Sequence, residues 1–111
     1  MNVLITGITG FVGSHMADYI LMHVPEAVIY ATRRWRSRDE NIKHFYGNNR
    51  VIFIEADLLD RRSLKLTLEK SKPDIIFHFA AQSFPGASFF TPVFTLTNNA
   101  IGTTNLLEEI L

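Results

Sequence analysis

Three glycines, Gly7, Gly10 and Gly13, stand between a short apolar run, Val3-Leu4-Ile5, and a segment of helical pattern. No other feature of this sequence restricts its fold as much. A short strand that is apolar at every position has no face for water, which suits a central strand of a parallel sheet. A glycine directly after it permits a sharp turn. A second lets the backbone approach a ligand with no Cβ between them, and a third lets the next helix lie close to the strand. The start of that helix offers unpaired N–H groups and a partial positive charge. The segment Thr6-Gly7-Ile8-Thr9-Gly10-Phe11-Val12-Gly13 is therefore suited to the pyrophosphate of a dinucleotide.

The rest of the chain alternates strand and helix patterns. Val12, Met16, Ile20 and Val24 recur at a spacing of four, and Pro25 ends the helix they predict. Residues 27–32 (AVIYAT) and 51–55 (VIFIE) read as strands, with an Arg-rich stretch between them that holds a weak helix at about 39–45 and a Gly-Asn-Asn turn. Asp60 reads as the N-cap of a helix to about Ser71, with Leu64 and Leu68 on its buried face and Pro73 beyond it. Residues 75–80 (IIFHFA) form a fourth strand, and a loop over 81–92 leads into a last helix from about Val93. Strands separated by helices imply right-handed crossovers and a parallel sheet covered on both faces.

Composition narrows the function classes. The 111 residues suffice for one domain with one core. Eleven Lys and Arg balance eleven Asp and Glu, so the net charge of zero gives no sign of a nucleic-acid partner. The absence of cysteine excludes disulfides, thiolate metal sites and a Cys nucleophile. No apolar run reaches the ~18 residues of a membrane span, and Met1 leads straight into the first strand pattern. A cytoplasmic, soluble domain without membrane contact is expected.

The end of the second strand distinguishes the two nicotinamide cofactors. A carboxylate there binds the ribose 2′-hydroxyl of NAD, whereas an arginine accommodates the 2′-phosphate of NADP. Tyr30-Ala31-Thr32-Arg33-Arg34 contains no acid, and Arg33 lies twenty residues after Gly13. A guanidinium can fork two hydrogen bonds onto a phosphate, so NADP is expected over NAD, bound by Arg33 and Arg34. Arg36 and Arg38 read as solvated loop residues.

The T-G-x-x-G-x-x-G spelling resembles the extended short-chain dehydrogenase/reductase superfamily, which contains the nucleotide-sugar epimerases and dehydratases, and the resemblance runs over essentially the whole chain. It implies an α/β fold, the N-terminal part of a Rossmann-type doubly wound parallel sheet with four strands in the order 3-2-1-4. It implies that Gly7, Thr9, Gly10, Phe11, Val12 and Gly13 hold the dinucleotide. Asp57 would accept from the adenine amine, with Leu58 packed on the ring, although the residues themselves also allow an ordinary loop carboxylate or turn-former at Asp57. Ala80, Ala81 and Gln82 would lie beside the ribose and nicotinamide. In Asn99-Ala100-Ile101-Gly102-Thr103, similar to the superfamily's Asn-x-x-Gly-Thr helix, Asn99 would brace the cofactor-side loops.

The loop Ala81-Gln82-Ser83, with Ser88-Phe89 and Pro92 after it, is similar to that of the GDP-mannose 4,6-dehydratase family, as is Arg33-Arg34. This implies a GDP-sugar substrate facing Gln82, Ser83 and Ser88, with Ser83 a contributor to catalysis. The residues themselves leave Ser83 and Ser88 open, because loop hydroxyls also satisfy nearby backbone. Phe11-Val12 fits the wider epimerase and reductase pattern, and Phe84 and Phe90 stand where the dehydratases favour His and Glu. A 4-epimerase or a 4-keto-6-deoxy reductase is therefore the alternative.

The superfamily's acid–base pair is Tyr-x-x-x-Lys, in which the lysine lowers the tyrosine pKa. Tyr19, Tyr30 and Tyr46 are followed four residues on by His23, Arg34 and Arg50, so no catalytic residue is assigned. The four histidines have no metal-ligand spacing, and His78 reads as a core residue. The expectation is a truncated cofactor-binding domain over 1–111, inactive alone, whose full-length form has further strands and a substrate domain and is a homo-oligomer. A non-catalytic NAD(P)-binding module is the reading from another class.

Overall fold

The computed structural model describes residues 1–35, 37–80 and 97–111. Four strands form one parallel sheet: β1 (Asn2–Thr6), β2 (Val28–Arg33), β3 (Val51–Glu55) and β4 (Ile75–His78). Their order is β3-β2-β1-β4, as expected. Val3 pairs with Ile29 on one side and Ile75 on the other, and Ile29 pairs in turn with Val51. β1 is therefore central, and Val3, Leu4, Ile5 and Thr6 are all buried.

Side chains alternate along β1 and sort the two layers. Val3 and Ile5 join α1 (Phe11–His23) in the larger core, with Ile8, Ala17, Ile20, Ile29 and Ala31. On the opposite face lie α2 (Arg61–Ser71) and α3 (Gly102–Ile110), packed through Leu58, Leu64 and Leu106. Among the described residues no helix is long and apolar enough to cross a membrane.

Local chemistry explains most element ends. Asp60 caps α2 by accepting from the N–H groups of Arg62 (3.1 Å) and Ser63 (3.3 Å). The helix closes on Lys72, which has a left-handed φ of 41°. Arg50 ends α1 from outside, donating to the carbonyls of Leu21, Val24 and Ala27. Those carbonyls lie at the end of the helix and beyond it, where intrahelical donors run out.

Several local expectations are corrected. α1 buries Gly13, Ser14, Ala17 and Ile20 rather than a row at every fourth residue, and Val12 is 56% exposed. Small side chains on that face let the helix lie close to the sheet. α2 turns Leu64, Thr67 and Ser71 inward, with Leu68 only half-buried. The helix expected at 39–45 is a single 3-10 turn, Lys43–Phe45. Ile42 and Phe45 anchor it as fully buried core residues, and Gly47 at φ 85° turns the chain toward β3. The last helix is described from Thr97, beginning as a wide π-type turn over Thr97–Ile101 that runs into α3.

Candidate functional site

A cleft of about 390 Å³ opens over the carboxyl ends of the strands. Its lining draws on the glycine turn after β1, Thr32–Arg34 at the end of β2, Ala56 and Leu58 after β3, and Phe79–Ala80 after β4. In doubly wound sheets ligands bind at this end, where strand order reverses about the first strand.

The three glycines meet different demands. Gly7 has φ 77°, and a Cβ there would lie 2.6 Å from the carbonyl carbon of Phe79. The chain leaving β4 thus passes directly over the turn. A Cβ on Gly13 would overlap the carbonyl oxygen of Gly7, so this glycine lets α1 begin against the turn. Gly10 differs, since a Cβ there would only touch the Gly7 oxygen at 3.5 Å, an ordinary contact. Among the described residues nothing forbids a side chain at Gly10, which is exposed on the cleft. The bare backbone is left for a ligand to approach.

α1 starts beside it. Gly10 provides no side-chain cap, and the first turn carries no acid. The N–H groups of Phe11, Val12 and Gly13 have no intrahelical acceptor and form the positive end of the helix dipole. The side chains of Phe11 and Val12, 71% and 56% exposed, form the rim. Asn41 donates to the carbonyl of Thr9 at 3.1 Å and ties the segment after β2 to the turn. These features fit a dinucleotide pyrophosphate.

Arg33 and Arg34 line the other end of the cleft with Thr32 and Ser37. Ser37 N–H donates to the Arg34 carbonyl and closes a turn there. Among the described residues, ion pairs involve only Arg61 and His44, so neither cleft arginine is neutralised. Glu55, the strand neighbour of Arg33, is exposed and does not line the cleft. Arg33 is held instead by aromatic residues. Its NH1 donates to the Tyr46 hydroxyl at 2.6 Å, and its guanidinium lies 5.2 Å from the Phe53 ring centre. Arg38 is exposed and outside the cleft, and Arg36 lies outside the described residues.

The remaining expected residues are placed unequally. Leu58 lines the cleft with 6% exposure and also packs on Leu64, Leu106 and Ala80. Gly102 owes its place to this leucine, since a Cβ there would lie 2.7 Å from the Leu58 Cβ. Asp57 is outside the cleft lining, and its Oδ1 accepts from the Leu59 N–H at 3.0 Å in a local turn. Ala80 lines the cleft, its N–H bonded to Thr6 Oγ1 at 3.2 Å. Asn99 lies in the π-type turn away from the cleft, and its carbonyl accepts from Thr103 Oγ1 at 2.7 Å. Ala81, Gln82, Ser83 and Ser88 lie outside the described residues.

His78 is half-buried, with both ring nitrogens engaged. Nδ1 lies 2.6 Å from Thr6 Oγ1 and Nε2 3.0 Å from Thr103 Oγ1. Thr103 already donates to Asn99, so it accepts from Nε2–H. Nδ1 is then the acceptor of the Thr6 hydroxyl, which itself accepts from Ala80 N–H. Burial lowers the His78 pKa below the ordinary imidazole value and favours this neutral form. Among the described residues no group of His, Asp and Glu could hold a metal ion. Thr6, Thr32, Ser37, Asn41, Tyr46 and Thr103 carry no sequence signal for these roles, because their partners are set by the fold.

Comparison with known proteins agrees with this geometry. The chain is 34% identical over 114 residues to GDP-mannose 4,6-dehydratase of Vibrio cholerae, covering 98% of this chain and 31% of that protein. It is 31% identical over 109 residues to dTDP-glucose 4,6-dehydratase of Haemophilus influenzae, covering 97% and 32%. The solved UDP-glucose 4-epimerase of Thermus thermophilus, in complex with NAD, superposes with a TM-score of 0.80 at 30% identity, covering 98% of this chain and 33% of that one. The chain thus spans about a third of the length of the relatives it matches. The pattern of the family described as GDP-mannose 4,6 dehydratase matches residues 4–111, and the chain belongs to that family, within the nicotinamide-dinucleotide-dependent epimerases and dehydratases of nucleotide sugars.

Proposed function

We propose that this chain is the NADP-binding portion of a nucleotide-sugar 4,6-dehydratase of the GDP-mannose type. The observation that carries the cofactor choice is the pair Arg33 and Arg34, both lining the cleft and neither paired with a carboxylate. A 2′-phosphate supplies the anion these cations lack, whereas a 2′-hydroxyl would leave them unmatched. When bound, a nicotinamide dinucleotide takes up and returns hydride, the redox capacity that chemistry at the sugar C4 requires.

The chain's own residues bind and orient. The α1 N–H groups and Gly10 receive the pyrophosphate, and Gly7 and Gly13 hold the turn in the shape that exposes them. Leu58 offers an apolar wall to the adenine, with Asp57 at its edge. Ala80, on the cleft wall, leaves room for the ribose and nicotinamide, and Ala81, Gln82 and Asn99 are assigned to this side by the family resemblance alone. Ser83 and Ser88 are assigned to the sugar nucleotide by the family resemblance of their loop. Loss of water from the sugar would need an acid–base pair besides the cofactor, and none is assigned among the residues of this chain.

A 4-epimerase is the second reading, favoured by the likeness to the Thermus UDP-glucose 4-epimerase. GDP-mannose and NADP incubated with the intact protein distinguish the two. A 4-keto-6-deoxy product supports the dehydratase. A C4 epimer formed without loss of water, or turnover of UDP-sugars alone, replaces it with the epimerase. Nucleotide binding with no turnover of either sugar class leaves a binding module.

A further inference from the structure

We propose that Tyr46 is a positioning residue for cofactor specificity: with Phe53 it holds the Arg33 guanidinium ready to fork onto the ribose 2′-phosphate. The proposal rests on the assignment of Arg33 to that phosphate. Arg33 ends β2, and its side chain reaches Tyr46, thirteen residues on, with NH1 2.6 Å from the phenol oxygen. The guanidinium carbon stands 5.6 Å from the Tyr46 ring centre and 5.2 Å from that of Phe53. Both distances are within cation–π range. The two rings meet edge to face, with centres 5.4 Å apart at 66°.

The support for this arrangement comes from the core. Phe53 pairs with Ala31 on β2, two residues before the pairing of Arg33 with Glu55, so it shares the sheet face of Arg33. Tyr46 follows Phe45, which is 1% exposed in the main core, and precedes the turn at Gly47. Tyr46 itself is 44% exposed, and its ring meets the sheet through the edge contact with Phe53. Tyr46 does not line the cleft, while Arg33 does.

The chemistry of this support suits an anion receptor. A free arginine loses side-chain freedom when it closes on a phosphate, and one held in advance loses less. A carboxylate in the place of Tyr46 would also hold the arginine, but would neutralise the charge that the phosphate needs. A phenol and a ring face hold it and leave its charge intact. NH1 donates to Tyr46, and no other acceptor is bonded to this guanidinium among the described residues. Four of its five N–H donors therefore have no acceptor among the described residues.

Equilibrium binding of NADP and NAD to the intact protein, compared among wild type, Tyr46→Phe and Arg33→Ala, tests the proposal. Tyr46→Phe keeps the ring and removes the hydroxyl, so it should weaken NADP about threefold to tenfold and leave NAD unchanged. Arg33→Ala should remove the NADP preference altogether. The fragment pair 2′,5′-ADP and 5′-ADP should repeat the pattern without any nicotinamide. If Arg33→Ala removes the preference while Tyr46→Phe binds NADP as wild type does, the positioning role is overturned and the Arg33 assignment stands. Equal weakening of NADP and NAD by Tyr46→Phe shows a merely structural tyrosine and also overturns it. An NADP preference untouched by Arg33→Ala overturns the assignment itself, and the role of Tyr46 with it.

Discussion

Three glycines that look equivalent in the sequence serve two masters. Gly7 and Gly13 are required by neighbouring backbone, at Phe79 and at Gly7 itself, whereas Gly10 touches nothing that a methyl group would displace. The corresponding alanine variants should therefore separate. Gly13→Ala forces a Cβ into a carbonyl oxygen and should destabilise the fold by about 2 kcal/mol or more, read as a lower denaturant midpoint. Gly10→Ala sits in extended backbone that any residue adopts, with φ −80° and ψ 170°. It should leave the midpoint unchanged or raise stability by up to about 1 kcal/mol, while nucleotide affinity falls on the order of tenfold. Equal loss of stability in both variants would mean that Gly10 is also structural. The spacing of the glycines was legible in the sequence, but their division between fold and ligand depends on where the Phe79 backbone after β4 and the Gly7 carbonyl of the turn lie, which the spacing does not specify.

At the scale of elements, His78 joins three parts of the structure. Its ring links β1 through Thr6 and α3 through Thr103, and Thr6 in turn takes the N–H of Ala80 at the cleft. A proton on Nδ1 would turn that acceptor into a donor and leave the Thr6 hydroxyl hydrogen without its partner. Burial holds the folded pKa below the ordinary value of 6.5. The neutral form is thus the stable one: the contribution is complete above pH 6.5 and is lost as pH falls from there through the folded pKa. Denaturant midpoints measured from pH 7.5 down to pH 5 should fall more steeply for wild type than for His78→Asn. Parallel curves would remove His78 from the acid sensitivity. The sequence placed this histidine in the fourth strand, but its partners lie 72 and 25 residues away. Periodicity was also a partial guide to the helices. The spacing of Val12 and Met16 marked where α1 lies, but close packing on the sheet favoured Gly13 and Ala17 as its inner face.

For the whole molecule, the cleft draws its walls from the ends of all four strands, so a bound dinucleotide touches segments far apart in the chain. A ligand that needs all of these together binds only the folded state. NADP at about 100 times its Kd should then stabilise the fold by about 2.7 kcal/mol, seen as a melting temperature that rises with nucleotide concentration. A melting temperature indifferent to NADP would separate the cleft from dinucleotide binding. The sequence by itself determined the alternation of strands and helices, the parallel sheet, the glycine turn and the Asp60 cap, because each rests on chemistry within a few residues. It also carried Arg33 and Arg34 to the end of β2, since their distance from the turn is fixed by one helix and one strand. Only the tertiary structure decided what surrounds them. The hold of Tyr46 and Phe53 on Arg33, the passage of Phe79 over Gly7 and the seat of Gly102 on Leu58 arise from sheet register and layer packing. Those forces act between residues that are neighbours in space and distant along the chain.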